Sequence, residues 1–226
     1  MVILREFQLN LRKWLPHDLT DLQRQRRVEI AAPLLQQQQQ RPFLDRILTL
    51  EENVFPSIIY DRKSSGFPQE NRPFRCRKWT SARRRSSSAP NATIVTAALY
   101  CDQLDRVQEQ LRRGTAGWRR RTTPAFLHDN ARPHTARITQ QKLEELGWEV
   151  LPHPAYSPDA APSDYHLFRS LEHSLRGHSF ADQDEVEQHI DDFFQGKTRD
   201  LYARGIDQLL EKWQQMVNSD GAYYFD

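Results

Sequence analysis

The stretch TTPAFLHDNARPHTARITQQKLEELGWEVLPHP, residues 122–154, decides the fold of this chain. TTPAFLHDN predicts a short apolar strand that ends at Asp129. HTARITQQKLEELG has the spacing of an amphipathic helix, with Gly147 as its stop signal, and WEVLPHP predicts a second strand closed by prolines. Because strand, helix and strand alternate through 123–154, the sequence predicts an α/β layer with at least one parallel strand pair.

Upstream of this stretch, the sequence predicts a helix and two strands. A helix begins near Thr20, which with Gln23 forms a capping-box pattern, and it fades into the glutamine run at 36–40. FLDRILTL and VFPSIIY, between Phe43 and Tyr60, read as two strands or as one interrupted strand. The segment 93–113 has apolar residues at helical spacing.

Downstream, three more helices are predicted. Ser163 is expected to cap a helix that begins at Asp164, and two helices at about 182–195 and 199–217 follow. Five aromatic residues on the predicted strands and helices fall at positions typical of a core rather than of base stacking: Trp148, Phe168, Phe193, Phe194 and Trp213.

The segment 62–90 has no periodicity and is rich in Ser, Arg and Pro. Seven basic residues and no acid lie between Arg72 and Arg85, and a second basic cluster lies at 112–121. From charge alone, a polyanion-binding patch and a solvated basic loop are equally good interpretations.

Composition bounds the class of protein. The chain has 226 residues, is 38% hydrophobic and 27% charged, and has a net charge of +2, which fits a globular protein. No apolar run is long enough to cross a membrane, so we expect no membrane partner and a location inside the cell. Cys76 and Cys101 predict neither a disulfide framework nor a zinc site.

Three acidic positions are candidates for a metal site. Asp129 ends one strand, Asp164 opens a helix after the next, and Glu51 or Glu52 follows the strand near Leu48–Leu50. Carboxylates that converge at one sheet edge repel each other unless a divalent cation such as Mg²⁺ lies between them. From the residues alone, ordinary capping and turn roles for the two aspartates are the better interpretation.

Four histidines lie in the same part of the chain: His128, His134, His153 and His166. Their spacing does not predict zinc, since no H-x-x-x-H or cysteine pairing accompanies them.

The motifs HDNARPHTA and EVLPHPAYSPDAAPSDYHLF resemble the signature of mariner transposases, in which 34 residues separate the second and third catalytic Asp. Here 164 − 129 = 35, which leaves 34 residues between Asp129 and Asp164. KWLPHDL is similar to the family's interdomain motif, and the resemblance continues to the last residue. In all it covers residues 12–61 and 91–226.

The resemblance implies a fold, an activity and partners. The fold is an RNase H-like core of the DDE/DDD class at 41–226, preceded by a polar arm at 1–40 that carries KWLPHDL. The expected activity is DNA strand cleavage and transfer in the nucleus, with transposon ends and target DNA as partners and a possible homodimer. Asp129, Asp164 and Glu51 would be the catalytic and metal-binding residues for Mg²⁺ or Mn²⁺.

The chain also departs from the family pattern. Glu51 stands where the family has its first catalytic Asp, and Asn53 and Val54 replace its Lys and Trp. The basic insert at 62–90 takes the place of central strands, in a pattern typical of a reading-frame slip or a mispredicted exon. We therefore expect impaired or absent activity. The alternative is a non-catalytic remnant or domesticated fragment that binds DNA or dimerises, related to the fusions of this family with histone-lysine methyltransferase domains.

Overall fold

The computed structural model describes residues 18–51, 58–61, 95–113 and 123–223. In chain order the elements are α1 (Asp21–Gln40), β1 (Ile47–Glu51), β2 (Ile58–Asp61), α2 (Ala97–Arg113), β3 (Ala125–Leu127), α3 (Arg132–Thr135), α4 (Arg137–Leu146), β4 (Glu149–Val150), α5 (Arg169–Leu175), α6 (Gln183–Gln195) and α7 (Arg199–Asn218). The predicted basic insert at 62–90 lies outside the described residues.

The strands form one sheet in the order β2-β1-β3-β4. β2 pairs antiparallel with β1, whereas β1 with β3 and β3 with β4 pair in parallel. The predicted α/β layer with a parallel pair is therefore confirmed, and the region 43–60 contains two strands rather than one. β3 reads Ala125, Phe126 and Leu127 and is buried throughout, as expected for a parallel strand covered on both faces.

Helices cover both faces of the sheet. On one face α1 and α7 pack against β1 and β3, with Leu34, Leu127 and Trp213 in a shared apolar cluster. On the other face α2 and α4 form a second cluster around Phe126 and Leu143. Alternate residues of β3 thus serve opposite faces, which is the period of two expected for a strand.

Two local signals define helix ends as predicted. Thr20 and Gln23 form the complete capping box at the start of α1. Gly147 ends α4 with φ of 69°, a left-handed conformation that glycine adopts without steric cost. The predicted boundary of the polar arm falls at the end of α1, and α1 itself packs against α7 and contributes Ala31 and Leu34 to the core.

The helix that contains Asp164 differs from the prediction. Ser163 does not cap it: Pro162 takes the position before the helix, and Ser163 lies buried within the first turn. An N-cap residue needs an extended backbone, but the chain already turns at this point, because the amides of Asp164 and Tyr165 both donate to the carbonyl of Ala161. The segment Ser163–Phe168 is a π-helical turn that leads into α5.

The aromatic residues assigned to the core lie there. Trp148, Phe194 and Trp213 are buried, and Phe168 and Phe193 pack against a third apolar cluster between α5 and α6. Within the described residues, no helix combines the length and apolar character that a membrane span requires.

Candidate active site

The candidate site lies at the edge of the sheet where β1 and β3 end. These two strands are parallel, with Thr49 level with Leu127. Glu51 is the last residue of β1, and Asp129 follows the last residue of β3 by two positions. Paired strands are about 4.8 Å apart, so these two acidic residues come at the carboxyl ends of adjacent strands.

Asp129 has a half-exposed side chain held by two contacts. Its Oδ1 accepts a hydrogen bond from the Ala131 amide at 2.9 Å and lies 2.5 Å from Nδ1 of His134. Burial raises the pKa of Asp129, but the hydrogen bonds from His134 and Ala131 outweigh burial and lower the pKa below its usual value. The carboxylate is therefore ionised at neutral pH, the form in which it would bind a cation.

From the sequence, His134 is considered only for zinc, whereas the structure makes it a partner of Asp129. Its ring is buried, with its centre 4.2 Å from that of Tyr100 and 5.0 Å from that of His128. Behind it, the Tyr100 hydroxyl lies 3.1 Å from Nδ1 of His128. The sequence signal for this contact is the short spacing between Asp129 and His134. His134 lies in the short helix α3, which brings its side chain back toward the end of β3.

His128 supports this arrangement as a neutral ring. Burial, together with the neighbouring His134, lowers the pKa of His128 to about 3, although Asp129 opposes the shift. At neutral pH, His128 therefore adds no charge to the edge of the sheet.

The loops after β3 and β4 are joined. The Asn130 side-chain amide donates to the carbonyl of His153 at 2.8 Å. Burial is also the main reason that the pKa of His153 is lowered, to about 4. The loop after β4 leads to Asp164, so this contact ties the two segments that carry the predicted aspartates.

Asp164 lies half-buried in the π-helical turn. The two residues that follow it in the same turn anchor the turn to α7. The Tyr165 hydroxyl donates to the carbonyl of Gly205 at 2.6 Å, and Nε2 of His166 lies 2.8 Å from the carbonyl of Leu201. The turn that presents Asp164 is therefore fixed on the helix behind it.

The described side chains contain no group of three His, Cys, Asp or Glu close enough to hold a metal ion. This includes the four histidines considered for zinc. The side chain of Glu51 lies outside the described part, while its backbone ends β1. The structure thus shows Glu51 at the end of β1, Asp129 two residues after β3, and Asp164 on a turn that is fixed to α7.

One antiparallel and two parallel pairings, helices on both faces, and acids at the carboxyl end of the central strands define an RNase H-like domain. Comparison with solved structures confirms the class. The chain matches the crystal structure of the catalytic domain of Mos1 mariner transposase with a TM-score of 0.77 and 36% identity, covering 94% of this chain and 100% of that chain. A structure of that domain with raltegravir and Mn matches with a TM-score of 0.77 and 35% identity, over 93% of this chain and 100% of that chain.

Two curated proteins are similar in sequence. Human histone-lysine N-methyltransferase SETMAR is 39% identical over an alignment of 232 positions, which covers 95% of this chain and 33% of SETMAR. Mariner Mos1 transposase of Drosophila mauritiana is 38% identical over an alignment of 226 positions, which covers 93% of this chain and 66% of that protein. The chain thus spans one third of the first relative's length and just under two thirds of the second's. No family model matches the chain. The chain belongs to the mariner transposase family.

Proposed function

We propose that this chain is a metal-dependent catalytic domain for DNA strand cleavage and transfer, with Asp129, Asp164 and Glu51 as its metal-binding and catalytic residues. The proposal is supported by the parallel pairing of β1 with β3, because Glu51 ends β1 and Asp129 follows β3 by two residues. The hydrogen bonds from His134 and Ala131 lower the pKa of Asp129, which favours its ionised form. Asp164 follows on the turn fixed to α7.

The donor set suits a hard divalent cation. Mg²⁺ and Mn²⁺ prefer carboxylate oxygens and water. Both contacts of Asp129 described above use Oδ1, so Oδ2 remains available among the described residues. Bound there, the metal would activate water and stabilise the leaving oxygen of a phosphodiester. Mos1 catalytic-domain structures with Mn and with Mg support this choice of ions.

Glu51 is the weak position of the proposed site. Compared with Asp, its side chain has one more carbon–carbon bond, about 1.5 Å. Misplacing a catalytic group by about 1 Å costs on the order of 100-fold in rate. The proposed activity is therefore lower, by about that factor, than the activity of the same chain with Asp at this position.

The proposed partners are transposon ends and target DNA, with a homodimer as the assembly and the nucleus as the location. Mos1 structures described as a paired-end complex and a pre-cleavage transpososome support DNA and pairing as partners of this family's catalytic domain. SETMAR, named for a histone-lysine methyltransferase activity, supports a nuclear location.

A second candidate function is a remnant that binds DNA or dimerises without cleaving it. Glu51 favours this candidate, because two of the three expected ligands are the family's residue type and the third is not. The two candidates share a fold and differ only in whether the carboxylates hold a metal productively.

Nicking of supercoiled plasmid DNA by the purified chain in Mg²⁺ or Mn²⁺ separates them. We expect weak nicking by the parent chain, about 100-fold faster nicking by Glu51→Asp, and none by Asp129→Asn. Asp105→Asn is the matched control, because this exposed aspartate on α2 pairs with Lys142 outside the site. Equal nicking by the parent and Asp129→Asn would reject the proposed site. No nicking by either the parent or Glu51→Asp, with DNA retardation intact, would establish the second candidate.

A further inference from the structure

Arg27 of α1 is a fully buried cation with a complete set of partners. Its guanidinium forms a two-pronged ion pair with Asp159, at 2.8 and 2.5 Å, and donates to the Ser157 hydroxyl at 2.6 Å. It also donates to the carbonyl of Gly221 at 2.8 Å, and its centre lies 4.7 Å above the ring of Tyr223. We call these five residues the Arg27 clamp.

The Arg27 clamp joins three distant segments: helix α1, the loop after β4, and the turn that follows α7. The turn approaches α1 so closely that a Cβ on Gly221 would lie 2.1 Å from the carbonyl oxygen of Arg24. The Tyr223 hydroxyl donates to the carbonyl of Tyr156 at 2.5 Å, and Tyr156 has a φ of 54°, which is uncommon outside glycine. The loop therefore keeps an unfavourable backbone conformation that its contacts impose.

A short series of backbone hydrogen bonds leads from the clamp to Asp164. The amide of Ala160 donates to the carbonyl of Ser157 at 3.0 Å, and the amide of Ala161 donates to Pro158 at 3.0 Å. The amide of Asp164 then donates to the carbonyl of Ala161 at 2.9 Å. The clamp residues of the loop and the proposed metal ligand therefore belong to one continuous hydrogen-bonded unit.

We infer that Arg27 is a positioning residue: by fixing Ser157 and Asp159, it sets the loop that places the Asp164 carboxylate at the edge of the sheet. This inference rests on the proposed function, since it concerns the same metal site. Arg27 itself contacts neither metal nor substrate in this account. It acts through the geometry of the loop.

The chemistry of the clamp suits positioning better than stabilisation alone. Replacing a buried ion pair with apolar side chains is often neutral or stabilising, so such a pair adds little over packing. A guanidinium that binds a carboxylate with two parallel hydrogen bonds fixes the direction as well as the distance of its partner. The clamp thus orients the loop in a way that an apolar contact would not.

Two measurements on the full-length chain test the inference with Arg27→Met and Arg27→Lys. Arg26→Met is the matched control. Arg26 directly precedes Arg27 on the same helix, is exposed, and pairs only with Glu29 among the ion pairs of the described chain. The first measurement is Mn²⁺ affinity, read from the electron paramagnetic resonance of free Mn²⁺. The second is hydrogen exchange of the amides of Ala160, Ala161 and Asp164, which needs no metal.

We expect Arg27→Met to weaken Mn²⁺ binding by about tenfold or more, since loss of a supporting partner of a metal ligand has effects of 10- to 100-fold. Arg27→Lys should keep part of the Mn²⁺ affinity that Arg27→Met loses. Arg26→Met should keep the Mn²⁺ affinity of the parent chain. Exchange at the three loop amides should accelerate in Arg27→Met while the amides of β3 keep the parent's rates.

Unchanged loop exchange in Arg27→Met would overturn the inference, as would equal acceleration in β3, which indicates a merely structural role. Unchanged Mn²⁺ affinity in Arg27→Met, where the parent binds Mn²⁺, would overturn it as well. If the parent and Glu51→Asp bind no more Mn²⁺ than Asp129→Asn, the proposed function fails. The exchange measurement still decides whether Arg27 sets the loop.

Discussion

Replacing Asp159 with Asn tests the energetic coupling within the Arg27 clamp. The substitution keeps the shape of the side chain, removes its charge, and turns one acceptor oxygen into a donor that faces the guanidinium. Arg27 has no exposed surface and the Asp159 side chain is 18% exposed, so the pair is largely shielded from water. The variant leaves a buried cation without its counter-ion.

The structure sets the size of the effect. Breaking a buried ion pair by removing one partner costs about 3–5 kcal/mol. Arg27 keeps its bonds to the Ser157 hydroxyl and to the carbonyls of Gly221 and Ala222, and Asp159 is partly hydrated, so we expect the lower end, about 3 kcal/mol. At about 2–4 °C per kcal/mol for a chain of this size, Tm should fall by roughly 6–12 °C.

Urea unfolding followed by circular dichroism measures this cost in two backgrounds. In the Arg27→Met background, Asp159→Asn should cost less than about 1 kcal/mol, because no buried cation remains to be paired, which gives a coupling of about 2 kcal/mol. An equal cost of Asp159→Asn in both backgrounds would refute the reasoning. So would a cost below about 1 kcal/mol in the parent chain.

Further expectations concern backbone strain, pH and capping. Gly221→Ala should destabilise the chain by more than about 2 kcal/mol, because it adds a clash with Arg24 to the strain of a φ of +77°. Gly177→Ala should cost only about 1 kcal/mol, because Gly177 has a similar φ of +82° but open space around it. Equal costs would contradict the role of the close approach at Gly221. Because burial lowers the pKa of His153 to about 4 from 6.5, the unfolded chain binds the proton first, so stability is complete above pH 6.5 and falls as the pH drops toward 4. His153→Gln should flatten the pH dependence of the unfolding free energy over this window by up to about 1.4 kcal/mol per pH unit. An unchanged slope would be evidence against a neutral, partly buried ring. Thr20→Ala should cost about 1 kcal/mol and leave nicking unchanged; a change in nicking would show that the cap acts on the site.

The parts of the fold that follow from short-range signals were predictable. The capping box of Thr20 and Gln23, the left-handed Gly147, and the alternation of apolar segments around β3 and β4 each act within a few residues. The candidate edge at Asp129 followed from the strand that precedes it, and the resemblance added Glu51 as its neighbour. In the structure, β1 and β3 are parallel neighbours, so their carboxyl ends lie side by side.

The remaining features depend on contacts between residues far apart in the chain. Arg27 looked like one charge on a polar helix, and its partners lie 130 and more positions away. Ser163 is a residue type that often caps helices, yet the turn that begins at Ala161 places it inside the helix. His134 was considered only for zinc, yet its buried ring packs against Tyr100 and His128 and contacts Asp129. Predictions made for each helix or strand separately cannot identify these contacts, because the contacts form only when distant segments pack together.

The central claim is that Asp129, Asp164 and Glu51 form one divalent-metal site. Anomalous diffraction at the manganese edge, from crystals of the chain grown with Mn²⁺, tests it most directly. We expect a manganese peak at the edge of the sheet, within about 2–2.5 Å of oxygens from Asp129 and at least one of the other two acids. A well-ordered edge with no manganese peak, or a peak bound only by other residues, would contradict the account.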